Sequence, residues 1–482
     1  MANITIFFLL GLALVILAIA MFIPAAYAFA LGAIDASFSF GVAGLITAFI
    51  GVALFVATRG RIRPVNRIQT VAFALVIWTV LPLFAAIPFV ASPLHLTLIS
   101  ALFEAASAFT TTGVTSTPLE TYPLPYMLWF ALLQWLGGFM SLLTVFTIVA
   151  PSGLCGSLTQ VAIRGNDSDD FAQTLKTTFL ALLPAYWIFT FVCMLLLWGV
   201  GIPFFDAVCL SLSTLSTGGF VPHVEGLSYY HNSTAEIVLM IFMIVGATSA
   251  LTHRNLLVTR RLAAFENRES SHVIGACLCV GALLSLWIFF TGDGSVLSII
   301  KQGLFTAISL VTTTGYQISA PGDIVAPYGI IIAVVFTGGA TFSTAGGMKL
   351  YRLAVISKQS LRELTRILHP HGVSSMRAVG RDYNIQTMKS IWAMFVVYLS
   401  LVATIALVLG LLGIEFHLSF LTSVAMLSNA GPVVTAGLGE EGLLFFSTAS
   451  GAIKLVLVCA MILGRVEILV LLSLGNLAYW RS

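Results

Sequence analysis

Charge is what this sequence has least of. Asp, Glu, Lys and Arg make up 9% of 482 residues, while 59% are apolar. An ordinary soluble domain carries about 25% charged residues, and here the mean hydropathy reaches +1.03. Most of the chain must therefore face lipid or other membrane helices. Its apolar runs match the roughly 20 residues that cross a bilayer core, and they exclude an outer-membrane barrel, whose strands alternate. Cysteine is also scarce. Cys155, Cys193, Cys209, Cys277, Cys279 and Cys459 form neither a disulfide framework nor a zinc spacing and read as buried small apolar residues. No phosphate-binding or dinucleotide fingerprint occurs. Paired catalytic His/Glu, a Ser–His arrangement and a sizeable soluble domain are missing too. An enzyme is thereby excluded, no cofactor or transition metal is expected, and nothing suggests a nucleic-acid partner. His223, His231, His369 and His371 have no metal-ligand spacing. No Lys or Arg precedes the apolar stretch 1–32, which is also too long for a signal peptide core, so it reads as a true span.

Basic residues are missing from one side. Arg59, Arg61, Arg63 and Arg67 share one loop, and Arg164 and Lys176 flank Asp167, Asp169 and Asp170. Arg254, Arg260, Arg261 and Arg268 form a third basic loop; Arg352, Lys358, Arg362, Arg366, Arg377, Arg381 and Lys389 form the fourth. The positive-inside rule makes these loops cytoplasmic, and Arg481 puts the C-terminus there as well. Lys301 stands alone outside, while Lys349, Lys454 and Arg465 fall inside apolar helices. Glu104, Glu120, Asp206, Glu225, Glu236, Asp293, Asp323, Glu415, Glu440 and Glu441 lie between the basic loops. They would concentrate cations at an outer mouth, although the positive-inside rule alone also strips Lys and Arg from that side.

Two spans, 5–33 and 39–57, come first, and then one unit repeats four times. Each unit is a span, a segment too short and too polar to cross, and a second span. The triplets are 69–91, 95–112 and 124–149; 174–200, 204–217 and 235–253; 272–291, 296–314 and 325–350; 386–412, 416–430 and 446–474. The expected fold is an all-α polytopic membrane protein: two N-terminal transmembrane helices plus four helix–pore-loop–helix repeats around a central pore. Its parts are an N-terminal two-helix region, 1–68, and pore repeats at 69–160, 161–271, 272–385 and 386–482. Ten full crossings result, with both termini cytoplasmic.

Each short segment ends in a Thr/Ser/Gly turn. The tips are Thr111, Thr112, Gly113 and Val114; Ser216, Thr217, Gly218 and Gly219; Thr313, Thr314, Gly315 and Tyr316; and Asn429, Ala430, Gly431 and Pro432. One such tip alone reads as a helix-breaking turn. Irregular backbone at membrane depth, however, survives only where it is buried or lines a water-filled cavity, so four tips at the same place in four units predict one pathway. A dehydrated cation needs several oxygens, and backbone carbonyls supply them without a trapping charge. Aiming consecutive carbonyls at an axis calls for glycine.

With Gln134-Trp135-Leu136-Gly137-Gly138, Ser343-Thr344-Ala345-Gly346-Gly347-Met348-Lys349 and Leu463-Gly464-Arg465-Val466-Glu467, these loops resemble the Trk/Ktr/HKT superfamily of potassium transporters over nearly the whole chain. The two extra N-terminal helices are similar to the TrkH type. The resemblance implies potassium uptake across a bacterial inner membrane, a homodimer with one pore per protomer, and a cytoplasmic TrkA-like nucleotide-binding regulatory ring. It also implies a filter glycine in each loop: Gly113, Gly218, Gly315 and Gly431. The fourth loop, with Ala430 and Pro432 around its glycine, is the least filter-like. Gly246-Ala247-Thr248-Ser249 matches loosely, and Phe139-Met140-Ser141 departs from the family pattern.

Gly338, Gly339, Gly346 and Gly347 crowd into one apolar helix. Each costs about 1 kcal/mol relative to Ala in a helix interior, so a break is expected below the third loop. It resembles the family's gate; close packing through small residues is the other reading. Arg465 is an intramembrane charge and so a functional candidate. The resemblance places it in the permeation path, and the plainer alternative is a buried contact with a carbonyl or a carboxylate. Lys454, eleven residues earlier, shares its helix face. Lys349 either belongs to the gate or snorkels to the surface. The basic stretch 352–389 either docks a regulator or anchors to anionic membrane lipid. The expected function is gated potassium conduction. Symport with proton or sodium is the alternative, against which stands the lack of a carboxylate in the four loops.

Overall fold

A computed structural model describes residues 4–60, 65, 67–94, 96–149, 171–253, 268–291, 295–320, 323, 326–369, 377–378, 381–382 and 385–466. Arg61, Arg63, Cys155, Arg164, Asp167, Asp169, Asp170, Arg254, Arg260, Arg261, Asp293, His371, Glu467 and Arg481, on which parts of the charge map rest, lie outside them.

The architecture is helical, with a two-residue antiparallel pairing of Arg377–Ala378 with Arg381–Asp382. Helices α1 (Ile4–Ala30) and α2 (Ile34–Thr58) form a hairpin. α3 (Arg67–Ala85) and the single turn α4 (Ile87–Val90) make one span, offset near Pro88, where proline has no N–H to give. The half-helix α5 (Leu98–Phe109) follows, and α6 (Leu124–Thr144) runs on into a π turn, Val145–Val149. The order recurs as α7 (Phe171–Gly199), half-helix α8 (Phe204–Leu215) and α9 (Ser233–Ala247). Next come α10 (Arg268–Thr291), half-helix α11 (Val296–Val311), α12 (Tyr328–Thr337) and α13 (Leu350–Leu368). The last set is α14 (Ile385–Leu411), half-helix α15 (Phe416–Leu427), α16 (Val433–Leu438), α17 (Glu440–Thr448) and α18 (Gly451–Arg465).

Seven of these helices are long and apolar enough to span, or eight if α17 and α18, which meet at 106°, count as one. Ten full crossings were expected. The shortfall falls on the second helices of the last three units. α9 stops at Ala247, where the carbonyls of Gly246 and Ala247 accept amides from the 338–349 segment. α12 stops at Gly338, with φ +67, and α18 starts only after the bend. The breaks fall at Thr248-Ser249, at the glycines from Gly338 and at Ser447-Thr448-Ala449-Ser450, short polar or glycine stretches that a hydropathy average over a whole span passes over.

The half-helices lie at the centre and the long spans outside. Across α5 and α8 the buried positions are nearly continuous, while Phe49 on α2 is 76% exposed. In water such a surface would aggregate; in lipid it is solvated. Cys193, Cys209 and Cys277 are buried as expected, but Cys279 and Cys459 are exposed, on outward faces of α10 and α18 that are as apolar as the lipid they meet.

Candidate functional site

A 12-residue half-helix rises about 18 Å, enough to bring its C-terminus to mid-membrane. The four C-caps are Thr110, Ser216, Thr312 and Ser428. The next residue is left-handed each time: Thr111 at φ 56, Thr217 at 53, Thr313 at 56 and Asn429 at 49. Non-glycine residues seldom adopt this region, so four in register mark one repeated turn. Three residues after the cap stand Gly113 (φ 83), Gly219 (φ 73) and Gly315 (φ 80), and Gly431 without positive φ. This corrects the second loop, where Gly219, rather than Gly218, is the counterpart of Gly113 and Gly315.

Three serines hold these turns, and the motif reading missed them. Val114 N–H donates to Ser107 Oγ at 2.9 Å, whose hydroxyl donates to the Val114 carbonyl at 2.6 Å. Phe220 N–H donates to Ser213 Oγ at 2.7 Å, and Ser309 Oγ donates to the Tyr316 carbonyl at 2.7 Å. Each serine stands three residues before its cap, where the fourth unit has Ala425. The missed signal was therefore Ser-x-x-[Thr/Ser]-Thr-x-Gly. Ser213→Ala leaves the Phe220 amide without its acceptor, which costs about 1–3 kcal/mol. A lower melting temperature in detergent is expected, and an unchanged one would show that the serine holds nothing.

The loops close into a ring in chain order. A Cβ on Gly113 would fall 1.8 Å from the Gly218 carbonyl, and one on Gly219 2.0 Å from the Thr314 carbonyl. Gly315 faces Pro432, and the Gly431 amide donates to the Thr112 carbonyl at 2.8 Å. Asn429 adds a bond to Thr112 Oγ1 at 3.1 Å, and the Ala430 amide closes its own turn onto Ala425. Gln134, fully buried, donates to the Gly218 carbonyl at 2.9 Å, and Gly137 lets α6 lie against the Phe109 carbonyl. Four half-helix C-termini, each with partial negative charge, thus converge on one axis.

On one side of the ring lies a cavity of about 170 Å³, lined by Gly113, Val114, Gly219, Gly315, Tyr316 and Pro432 among others. Its lining includes no carboxylate. Three of the acids expected at an open mouth are buried instead. Glu104 accepts from the amide and hydroxyl of Ser116, Asp206 pairs with His223 at 2.8 Å, and Glu236 pairs with Lys301 at 2.8 Å.

The other side is closed by residues 338–349, non-helical and almost wholly buried. Gly338 and Gly339 press against Gly346 and Ala345, and Gly347 against Gly338, so the segment is a lasso with no room at its neck for a Cβ. Its tip touches three half-helix ends. The Gly346 amide donates to Thr313 Oγ1 at 2.8 Å, Gly346 abuts the Ser428 carbonyl, and Thr344 Oγ1 donates to the Leu215 carbonyl at 3.0 Å. Arg465 supplies the fourth contact. Its guanidinium donates to the carbonyls of Thr110 at 2.6 Å and Thr344 at 2.8 Å, and to the Thr111 hydroxyl. Lys454 bonds Ser100 Oγ at 3.0 Å, so both cations of α18 face α5, as their spacing implies. Lys349 does not snorkel: it is 5% exposed, has φ 77, and its ammonium donates to the Ala345 carbonyl.

Comparison with known proteins gives one consistent result. A sequence model of the TrkH family, described as a cation transport protein, matches residues 36–265 and 283–475. The Trk system potassium uptake protein TrkH of Salmonella typhimurium is 31% identical over 84% of both chains, and that of Escherichia coli K12 is 31% identical over 84% of both. TrkH of Halomonas elongata is 30% identical over 92% of both. The crystal structure of the potassium transporter TrkH from Vibrio parahaemolyticus covers the whole of both chains with a TM-score of 0.88 at 27% identity.

Proposed function

The chain belongs to the TrkH family of cation transport proteins, a family of multi-pass membrane transporters and not of enzymes, and from that premise we propose that it takes potassium up across a bacterial inner membrane. The observation that carries this reading is the closed ring of four unequal loops at the ends of four buried half-helices. Its carbonyls and hydroxyls offer oxygen ligands with no full charge, and the converging helix ends favour a cation. The filter comprises the four tips, with Gly113, Gly219, Gly315 and Gly431 at matching positions. The lasso 338–349 and Arg465 form the gate on the cytoplasmic side, and the 170 Å³ cavity is the outer vestibule. Both termini are cytoplasmic. A second copy of the chain and a cytoplasmic nucleotide-binding ring complete the assembly, by likeness to the family. Flow is uncoupled, because neither the filter nor the vestibule lining contains a carboxylate to carry a proton.

The test is flux into proteoliposomes. Rubidium or potassium should enter down its gradient well ahead of sodium. Equal entry of sodium would overturn the filter reading. Potassium accumulation driven by a proton or sodium gradient at zero membrane potential would replace conduction by symport.

A further inference from the structure

Glu269 stands in the first turn of α10, far in sequence from every motif described above. It is 4% exposed, and its Oε1 accepts the backbone N–H of Thr341, in the lasso, at 2.5 Å. A glutamate in a first turn is ordinarily explained by the helix dipole, and there it would face solvent or its own helix amides. This one turns inward onto another element. Its Oε2 is buried without a hydrogen-bond partner among the described residues, as is the Thr341 hydroxyl. A carboxylate so placed is costly, and its one hydrogen bond is of the strong, charge-assisted kind.

The neighbours show what that bond constrains. The Ala340 amide donates to the Ala247 carbonyl at 3.0 Å, the Ala250 amide to Phe342 at 2.8 Å and the Thr344 amide to Gly246 at 3.3 Å. Residues 340–344 therefore form a turn whose two ends bond Ala247 and Gly246 and whose middle bonds Ala250, with Glu269 gripping it at Thr341. Ser270, the next residue, approaches the Ser249 amide and the Thr252 hydroxyl at 3.5 Å. The first turn of α10 thus touches both the end of the second unit and the lasso of the third. Arg465, Thr313 and Ser428 hold the tip of the lasso; Glu269 holds its flank.

We propose that Glu269 is a positioning residue that latches the lasso in its blocking position, so that displacement of the first turn of α10 releases the gate. This rests on the gate reading above. Because the acceptor meets a backbone amide, the latch does not depend on which side chain stands at position 341.

The test uses the full chain reconstituted in proteoliposomes, with potassium flux and the potassium-to-sodium ratio read for Glu269→Ala, Glu269→Gln and Arg465→Ala. Loss of a hydrogen bond to a charged group is worth about tenfold in an equilibrium. Glu269→Ala should raise potassium flux by about that factor with the ion ratio unchanged, which damage to the fold would not do. Glu269→Gln, which keeps a neutral acceptor of the same shape, should raise it less, and it carries the test if the Ala variant does not fold. Unchanged or lower flux in a folded Glu269 variant while Arg465→Ala still raises it would overturn the latch and leave the gate standing. No rise in either variant would overturn the gate and the latch with it.

Discussion

Arg465→Ala is expected to raise potassium flux by more than about a hundredfold over the closed wild-type chain. Two effects add. The guanidinium, 6% exposed, ties the end of the first half-helix to the lasso through the carbonyls of Thr110 and Thr344. Removing it releases the hydrogen-bonded link between the lasso tip and the first loop. The charge also acts directly: a cation about 5 Å away is repelled by about 3 kcal/mol at an effective dielectric of about 20, which is about a hundredfold in occupancy. Arg465→Lys should fall between, because Lys keeps the charge but lacks the planar fork that meets several acceptors at once. Single-turnover flux from preloaded vesicles checks this. Wild-type flux in Arg465→Ala, with selectivity intact, would remove Arg465 from the pathway.

The second large effect concerns two adjacent glycines. Gly219→Ala should abolish potassium-selective flux, while Gly218→Ala should be partly rescued by Gln134→Ala. A Cβ at 219 meets the Thr314 carbonyl at 2.0 Å, on backbone whose φ of +73 already disfavours a side chain. The obstacle is main chain in the next loop and cannot step aside. At 218 the φ is ordinary and the Cβ meets the Gln134 side chain, 2.4 Å from its Cδ. Truncating Gln134 removes that obstacle, at the loss of its bond to the Gly218 carbonyl. Rubidium and sodium flux in the two single variants and the double variant separate the cases. Rescue of Gly219→Ala by Gln134→Ala, or none for Gly218→Ala, would return the filter register to Gly218.

Sequence periodicity exposed what local chemistry controls. Thr-Thr-Thr-Gly after a short amphipathic run is a turn by composition; it stands in the first and third loops, and the looser Ser-Thr-Gly-Gly and Ser-Asn-Ala-Gly mark the same place in the second and fourth. The crowded glycines located the lasso, and one arginine in an apolar helix located its contact. What escaped had two causes. In the second loop both Gly218 and Gly219 satisfy the pattern, and only backbone torsion chooses between them. Elsewhere the deciding partner is distant in sequence. Lys349 turns inward because Ala345 and the neck of the lasso enclose it, Asp206 meets His223 across a loop, and Glu269 meets Thr341 from another unit. Of the three broken second helices, the glycines announced the one at Gly338, while those at Ala247 and at the α17–α18 bend escaped.

The ring has an order in time as well as in space. Its last joint, between Asn429–Gly431 and Thr112, links Asn429 to a residue 317 positions earlier. At synthesis rates of about 5–20 residues per second, the first loop waits tens of seconds in the membrane before the fourth arrives to complete the circle. Until then Thr112 lacks the neighbour that fixes it, and no partial chain has a four-sided path for ions. On the proposed reading a nascent or truncated product would leak no cations, because the joint that finishes the fold would also finish the conducting path.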